Sequence, residues 1–134
     1  MAYNILIVDD SRTMRSVLTK TLGMTGLDLG EVYVAENGLD ALGKLKEHWI
    51  DLVMTDLNMP EMTGLELIEK MAQDGMLKAT PVIVISTDGS AERLQALLEK
   101  GIREFIRKPF TPEAITEAIT RVLGVTNERS ANKG

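Results

Sequence analysis

Residues 51–64 have the sequence DLVMTDLNMPEMTG, and this stretch decides the fold prediction. Residues 51–55 contain a short apolar run at 52–54, and we predict that they form the third strand of the chain. The predicted strand ends at Asp56, and Pro60 and Gly64 mark the residues after it as a loop. A helical repeat of apolar residues comes next, so the stretch predicts a strand, an acidic strand end, a loop and a helix.

The same alternation extends in both directions along the chain. Gly101 is placed to end the fourth helix in the left-handed conformation, and Thr111 and Pro112 give the last helix an N-cap hydroxyl and a proline at its first position. Five strands alternating with five helices predict a three-layer α/β fold, in which helices cover both faces of a parallel sheet. The other predicted strands cover residues 5–8, 31–35, 82–86 and 103–107.

Length and composition limit the classes of protein to consider. The 134 residues fit one domain, which we place at residues 1–124, with a polar tail at 125–134 that we predict to be disordered. A net charge of −5 disfavours binding to nucleic acid or to an anionic membrane, since both require a positive surface. The chain has no cysteine, no signal-peptide pattern and no apolar run near the roughly 20 residues that span a bilayer, so we expect a cytoplasmic protein without membrane insertion.

Polar residues follow four of the predicted strands at their carboxyl ends, where ligands bind in an open parallel sheet. Asp9 and Asp10 follow the first strand, and Asp56 follows the third. Ser86 ends the fourth strand, and Lys108 follows the fifth. We therefore expect three carboxylates, a hydroxyl and an ammonium group to lie close together at one edge of the sheet.

The three carboxylates predict a divalent cation site. Like charges this close repel one another, and a cation relieves the repulsion. Mg²⁺ prefers oxygen ligands, and it combines a few carboxylates with water and substrate phosphate. We expect Asp10 and Asp56 to bind it directly, the backbone carbonyl of Asn58 to supply a third ligand, and Asp9 to act through water.

The same group of residues predicts phosphoryl transfer to a carboxylate. A carboxylate such as Asp56 can attack phosphorus and form an aspartyl phosphate. Catalysis then requires positioning and neutralisation of charge on the phosphoryl group, for which Lys108 and the Ser86 hydroxyl are suited. Each residue alone has a simpler explanation as a cap, a turn former or a solvated lysine. Their occurrence together at four strand ends favours the chemical explanation.

In combination these motifs resemble the two-component receiver family. The order is DD, then D-x-N-M-P-x-M-x-G, then Ser86 after an apolar strand, then K-P-F at residues 108–110, and the resemblance covers residues 4–124. It implies a flavodoxin-like (βα)5 fold with strand order 2-1-3-4-5. It also implies that a histidine kinase phosphorylates Asp56 with Mg²⁺, and that the protein is a stand-alone response regulator, with chemotaxis or motility as the leading pathway by analogy.

The resemblance further implies a conformational switch. It maps Ser86 onto the family's switch hydroxyl, Phe105 onto the switch aromatic residue, and the bond between Lys108 and Pro109 onto a cis peptide. Serine replaces the commoner threonine at 86, and Phe105 lacks the hydroxyl of the tyrosine found in many chemotaxis members. The predicted output surface is the face made by the fourth helix, the fifth strand and the fifth helix, where a downstream protein would bind.

Three other classes of protein fit the residues less well. A phosphatase of the haloacid-dehalogenase type needs an Asp-x-Asp loop, but Ser11 and Arg12 follow the acidic pair here. A receiver-like binding module that is not phosphorylated would not need the full acidic set. A transcription factor would need a DNA-binding domain, which the residues after 124 are too few to form. We expect no enzyme in the sense of turnover on a separate substrate, because the chemistry modifies the chain itself.

Overall fold

The computed structural model describes residues 2–75, 77–87 and 89–124, and it confirms the α/β class. The predicted tail at 125–134 lies outside the described residues. The strands are β1 (Tyr3–Val8), β2 (Leu29–Ala35), β3 (Leu52–Thr55), β4 (Val82–Ser86) and β5 (Glu104–Arg107). The helices are α1 (Arg12–Gly23), α2 (Gly38–Glu47), α3 (Gly64–Gln73), α4 (Ala91–Glu99) and α5 (Pro112–Leu123).

The five strands form one parallel sheet in the order β2-β1-β3-β4-β5, which confirms the order implied by the family resemblance. The chain moves from β1 to one neighbour and then returns to place β3 on the other side. Such a reversal opens a crevice at the carboxyl ends of the two central strands. Val8 pairs with Thr55 across β1 and β3, so the residues that follow them, Asp9 and Asp56, begin side by side in that crevice.

Helices cover both faces of the sheet, and this explains the continuous apolar runs of the strands. Leu6 and Val8 of β1 pack in a core with α2, α3 and α4, while Ile5 and Ile7 pack in a second core with α1 and α5. Alternate residues of a strand point to opposite faces, so both cores draw on the same strands. The site at the strand ends is therefore supported by buried side chains from both sides.

Every helix begins at the edge of the sheet where the strands end, and each beginning is capped. The capping oxygen accepts a hydrogen bond from the backbone N–H three residues later, which satisfies one of the free donors of the first turn. Because helix N-termini carry partial positive charge, α1 in particular favours carboxylates near its start. The capping residues are Ser11, Asn37, Thr63, Ser90 and Thr111.

Four of the five strands begin one or two residues away from their predicted starts. β3 begins at Leu52 instead of residue 51, and β5 begins at Glu104 instead of residue 103. β2 begins at Leu29 instead of residue 31, and β1 begins at Tyr3, because these two residues pair across the edge of the sheet. The register shifts between Tyr3 and Ile5, and a Cβ on Gly30 would collide with the Asn4 side-chain oxygen. Glycine at this position is thus part of a strand irregularity and does not mark a loop.

The loop between β3 and α3 packs back on the end of β3 through Gly64. The Gly64 N–H donates to the Leu57 carbonyl oxygen at 2.9 Å. A Cβ on Gly64 would collide with the carbonyl oxygen of Asp56 and would lie 2.9 Å from the Leu57 Cα. These neighbours are backbone atoms of the strand end, so they cannot move aside as a flexible side chain would.

Substituting Gly64 should therefore destabilise the protein, and Gly43 offers a matched control. Gly64→Ala should lower the free energy of unfolding by about 2 kcal/mol, because the added methyl group overpacks a backbone contact. Gly43 lies inside α2, and a Cβ there would meet nothing within 4 Å. Gly43→Ala should raise the free energy of unfolding by about 0.5–1 kcal/mol through its better helix propensity. Urea denaturation measures both, and equal stability of the two variants would contradict the packing argument.

Candidate functional site

The structure brings three carboxylates together at the strand ends. Oxygen atoms of Asp9, Asp10 and Asp56 lie within 4.8 Å of one another. Asp9 is buried, Asp56 is half-buried and Asp10 is exposed at the rim. The Asp56 N–H donates to the Val8 carbonyl oxygen at 2.9 Å, so the ladder between β1 and β3 continues to the acidic residue itself.

Lys108 pairs with two of the three carboxylates. Its Nζ lies 3.0 Å from Asp9 Oδ2 and 3.4 Å from Asp56 Oδ2. The three side chains are only 14%, 3% and 13% exposed, so these ion pairs are largely shielded from solvent and are stronger than surface pairs. The Lys108 N–H donates to the Ser86 carbonyl oxygen at 3.0 Å, and the next peptide bond, to Pro109, is cis as the resemblance implies.

Backbone N–H groups hold the remaining oxygens of the two paired carboxylates. Asp9 Oδ1 accepts a hydrogen bond from the Ser11 N–H at 2.8 Å, and Asp56 Oδ1 accepts one from the Leu57 N–H at 2.7 Å. Arg15 adds a bond from Nη1 to the Asp9 carbonyl oxygen at 2.7 Å. The Ser11 and Leu57 donors could not be identified from the sequence, because a backbone N–H is present at every residue except proline and carries no side-chain signal.

The donor set and the charge of the cluster fit a divalent cation. Three carboxylates face one ammonium group, so the cluster of described residues holds excess negative charge. All the side-chain ligands are oxygens, which hard cations prefer. Asp10 lines a surface pocket, and Asn58 is exposed in the loop that follows Asp56. The other residues that line this pocket are Glu36, Asn37, Pro60 and Glu61.

Ser86 and Phe105 lie on the same face of the sheet. Ser86 is fully buried at the end of β4. Phe105 pairs with Val84 across β4 and β5, and its half-buried ring packs against the core formed with α2, α3 and α4. Ile106 packs in the opposite core, as the alternation of side chains along a strand requires.

Residues 5–120 match the family model described as the response regulator receiver domain. The chain belongs to this receiver family. The match covers the strand ends with all three carboxylates and Lys108, and it ends within α5. No helix among the described residues is long and apolar enough to cross a membrane.

This receiver chain is similar to short chemotaxis proteins over nearly their whole length. It is 40% identical to the chemotaxis protein CheY1 of Helicobacter pylori over 92% of this chain and 98% of the relative. It is 38% identical to a CheY homolog of Campylobacter jejuni over 95% of this chain and 97% of the relative. The chain is thus homologous to stand-alone response regulators of chemotaxis.

Solved receiver structures show the same fold. The chemotaxis response regulator CheY4 of Vibrio cholerae superposes with a TM-score of 0.82 at 33% identity, covering 91% of this chain and 99% of that one. A CheY-like receiver domain protein of Methanospirillum hungatei gives a TM-score of 0.81 at 26% identity over the full length of both chains. The cytoplasmic location and the domain limits at 1–124 stay predictions.

Proposed function

We propose that Asp56 of this receiver accepts a phosphoryl group from a histidine kinase, and that the phosphorylated protein signals by binding a downstream protein. The observation that carries the proposal is the position of Asp56. It lies at the end of a central strand, beside Asp9 and Asp10, with Lys108 Nζ at 3.4 Å. Asp56 is half-buried, and an ammonium group and two further carboxylates that could bind a cation lie beside it. This environment suits attack of the carboxylate on phosphorus.

In the transfer step, a carboxylate oxygen of Asp56 forms a bond to phosphorus while the bond from phosphorus to the donor imidazole nitrogen breaks. The electron pair of the broken bond stays on the imidazole, which takes up a proton. The Leu57 N–H donates a hydrogen bond to Asp56 Oδ1, so the orientation of the carboxylate is restrained before the phosphoryl donor binds. Lys108 is placed to neutralise charge on the phosphoryl oxygens, since its ammonium group already lies against Asp56.

We assign the cation to Mg²⁺, held by Asp10 and Asp56 directly, by the Asn58 backbone carbonyl, and by Asp9 through water. When bound, Mg²⁺ supplies positive charge that stabilises the oxygens of the phosphoryl group and relieves repulsion between the carboxylates. Asp9 is the most buried of the set and already accepts bonds from Lys108 and Ser11. Its burial is consistent with an indirect role, since the Asp9 side chain is 3% exposed and the Asp56 side chain is 13% exposed.

The switch we propose uses Ser86 and Phe105. The Ser86 hydroxyl would donate to a phosphoryl oxygen on Asp56, since Ser86 ends the strand next to β3. Movement of Ser86 would change the packing space on the sheet face it shares with Phe105. Phosphorylation would then favour one of two packings of the ring, which is a population shift.

The output surface in this proposal is the face made by α4, β5 and α5. Phe105 is half-buried there, Arg107 of β5 is exposed, and Arg103 is exposed directly before the strand. Partly exposed aromatic rings and arginines are enriched in protein interfaces.

The names of the relatives favour chemotaxis as the pathway. We do not class the chain as an enzyme, because the group it transfers ends on its own side chain.

Incubation with acetyl phosphate and Mg²⁺ should add one phosphoryl group to the wild-type protein. Asp56→Asn should give no adduct, because an amide is a poor nucleophile toward phosphorus. Asp40→Asn, which changes an exposed aspartate outside the cluster, should react as the wild type does. Intact-mass spectrometry measures the adducts. An equal adduct in Asp56→Asn would overturn the assignment of the acceptor.

Millimolar Mg²⁺ should raise the melting temperature, because the cation binds the native state preferentially. Asp10→Ala should raise the metal-free melting temperature by about 3–5 °C, since removing one crowded charge relieves about 1 kcal/mol of repulsion. The same substitution should weaken the response to Mg²⁺. Glu31→Ala removes an exposed charge from β2 and serves as the control for net charge. Unchanged melting of the wild type with Mg²⁺ would refute the proposed metal site.

The Phe105→Ala variant distinguishes a switch role of Phe105 from a role in core packing alone. A fully buried ring would cost about 3–5 kcal/mol when truncated, so the half-buried Phe105 should cost less. Phosphorylation of Asp56 should persist, while binding of a partner captured with the beryllofluoride-activated wild type should be lost. Tyr33→Ala truncates another half-buried ring against the same core and should leave partner binding intact. Normal partner binding by activated Phe105→Ala would defeat the switch assignment.

A further inference from the structure

The peptide unit between Asp56 and Leu57 is held on both of its polar sides. Its carbonyl oxygen, which belongs to Asp56, accepts a hydrogen bond from Thr55 Oγ1 at 2.8 Å. Its N–H, which belongs to Leu57, donates to Asp56 Oδ1 at 2.7 Å. Gly64 packs directly against the same carbonyl and leaves no room for it to move in that direction.

These contacts couple Thr55 to the Asp56 carboxylate. A peptide unit is planar, so its C=O and N–H turn together. The Thr55 hydroxyl fixes the direction of the C=O and thereby the direction of the N–H that holds Oδ1. Thr55 is only 1% exposed, so water has no ready access to replace the hydroxyl if it is removed.

We propose that Thr55 is a positioning residue for the phosphorylation of Asp56, acting through this peptide unit. The inference rests on the proposed function, since it assumes that Asp56 is the nucleophile. Thr55 does not touch the phosphoryl donor and transfers no proton in the reaction. Its hydroxyl restrains the peptide, and the peptide restrains the carboxylate in the orientation from which it attacks. Loss of that restraint slows the reaction because misorientation of reacting groups raises the barrier.

The test compares two substitutions that separate the hydroxyl from the methyl group. Thr55→Val keeps the branched shape and removes the donor, whereas Thr55→Ser keeps the donor and removes the methyl group. The initial rate of adduct formation is measured by intact mass with acetyl phosphate at saturating Mg²⁺. Thr55→Val should be slower than the wild type by about tenfold, which corresponds to about 1.4 kcal/mol in the barrier. Thr55→Ser should stay within about twofold of the wild type.

A role in packing alone predicts the opposite order, because valine preserves the buried volume and serine does not. Thr21→Val is the matched control: Thr21 is also buried, and its hydroxyl donates to the Val17 carbonyl oxygen in α1, away from the strand ends. Its rate should equal that of the wild type. All variants are assayed below their melting transitions, and Thr55→Ala replaces Thr55→Val if valine prevents folding.

The outcomes distinguish this inference from the function on which it rests. If the wild type forms no adduct on Asp56, the proposed function fails. If the wild type reacts and Thr55→Val reacts at the same rate, the positioning role of Thr55 is overturned while the function stands. A Thr55→Ser variant as slow as Thr55→Val would also overturn it, because the donor would then be present without effect.

Discussion

The pairing of β1 with β3 is the constraint on which the site depends. Val8 lies opposite Thr55, and the hydrogen bond from the Asp56 N–H to the Val8 carbonyl extends that register by one residue. Two acidic residues separated by nearly 50 positions in sequence thus start from adjacent strand ends. A shift of one residue would turn the side chains to opposite faces of the sheet, so the apolar alternation that buries β1 and β3 also fixes the geometry of the site.

Crowding of like charge is the electrostatic consequence of this register. Lys108 compensates part of it, and it does so from a largely buried position between Asp9 and Asp56. Breaking such a shielded pair leaves an uncompensated charge, which is far more destabilising than the loss of a surface pair. The fold therefore tolerates the acidic cluster because Lys108, directly after β5, places its ammonium group against two of the carboxylates. Asp10 stays exposed at the rim, where its carboxylate is accessible to a metal ion.

Backbone groups also determine how the acidic side chains are oriented. The Ser11 and Leu57 N–H groups each bind one carboxylate oxygen, and Gly64 lets the next loop pack on the Asp56 carbonyl. The N-terminus of α1 lies at the same edge and adds partial positive charge near the acidic residues. The precision of the site thus comes from the turns after β1 and β3 as much as from the charged side chains.

The sequence by itself determined the class of the fold and the residues at the strand ends. Continuous apolar strands, helical repeats and caps such as Thr111 are local signals, and they placed Asp9, Asp56 and Lys108 correctly at one edge. The strand order 2-1-3-4-5 came from family resemblance, because apolar patterns do not specify which strands are neighbours. Only the tertiary structure decided that Lys108 pairs with Asp9 more closely than with Asp56, that Gly30 lies inside β2, and that Thr55 binds the Asp56 carbonyl. These features depend on register and on backbone donors, which exist only once distant strands and loops have packed together.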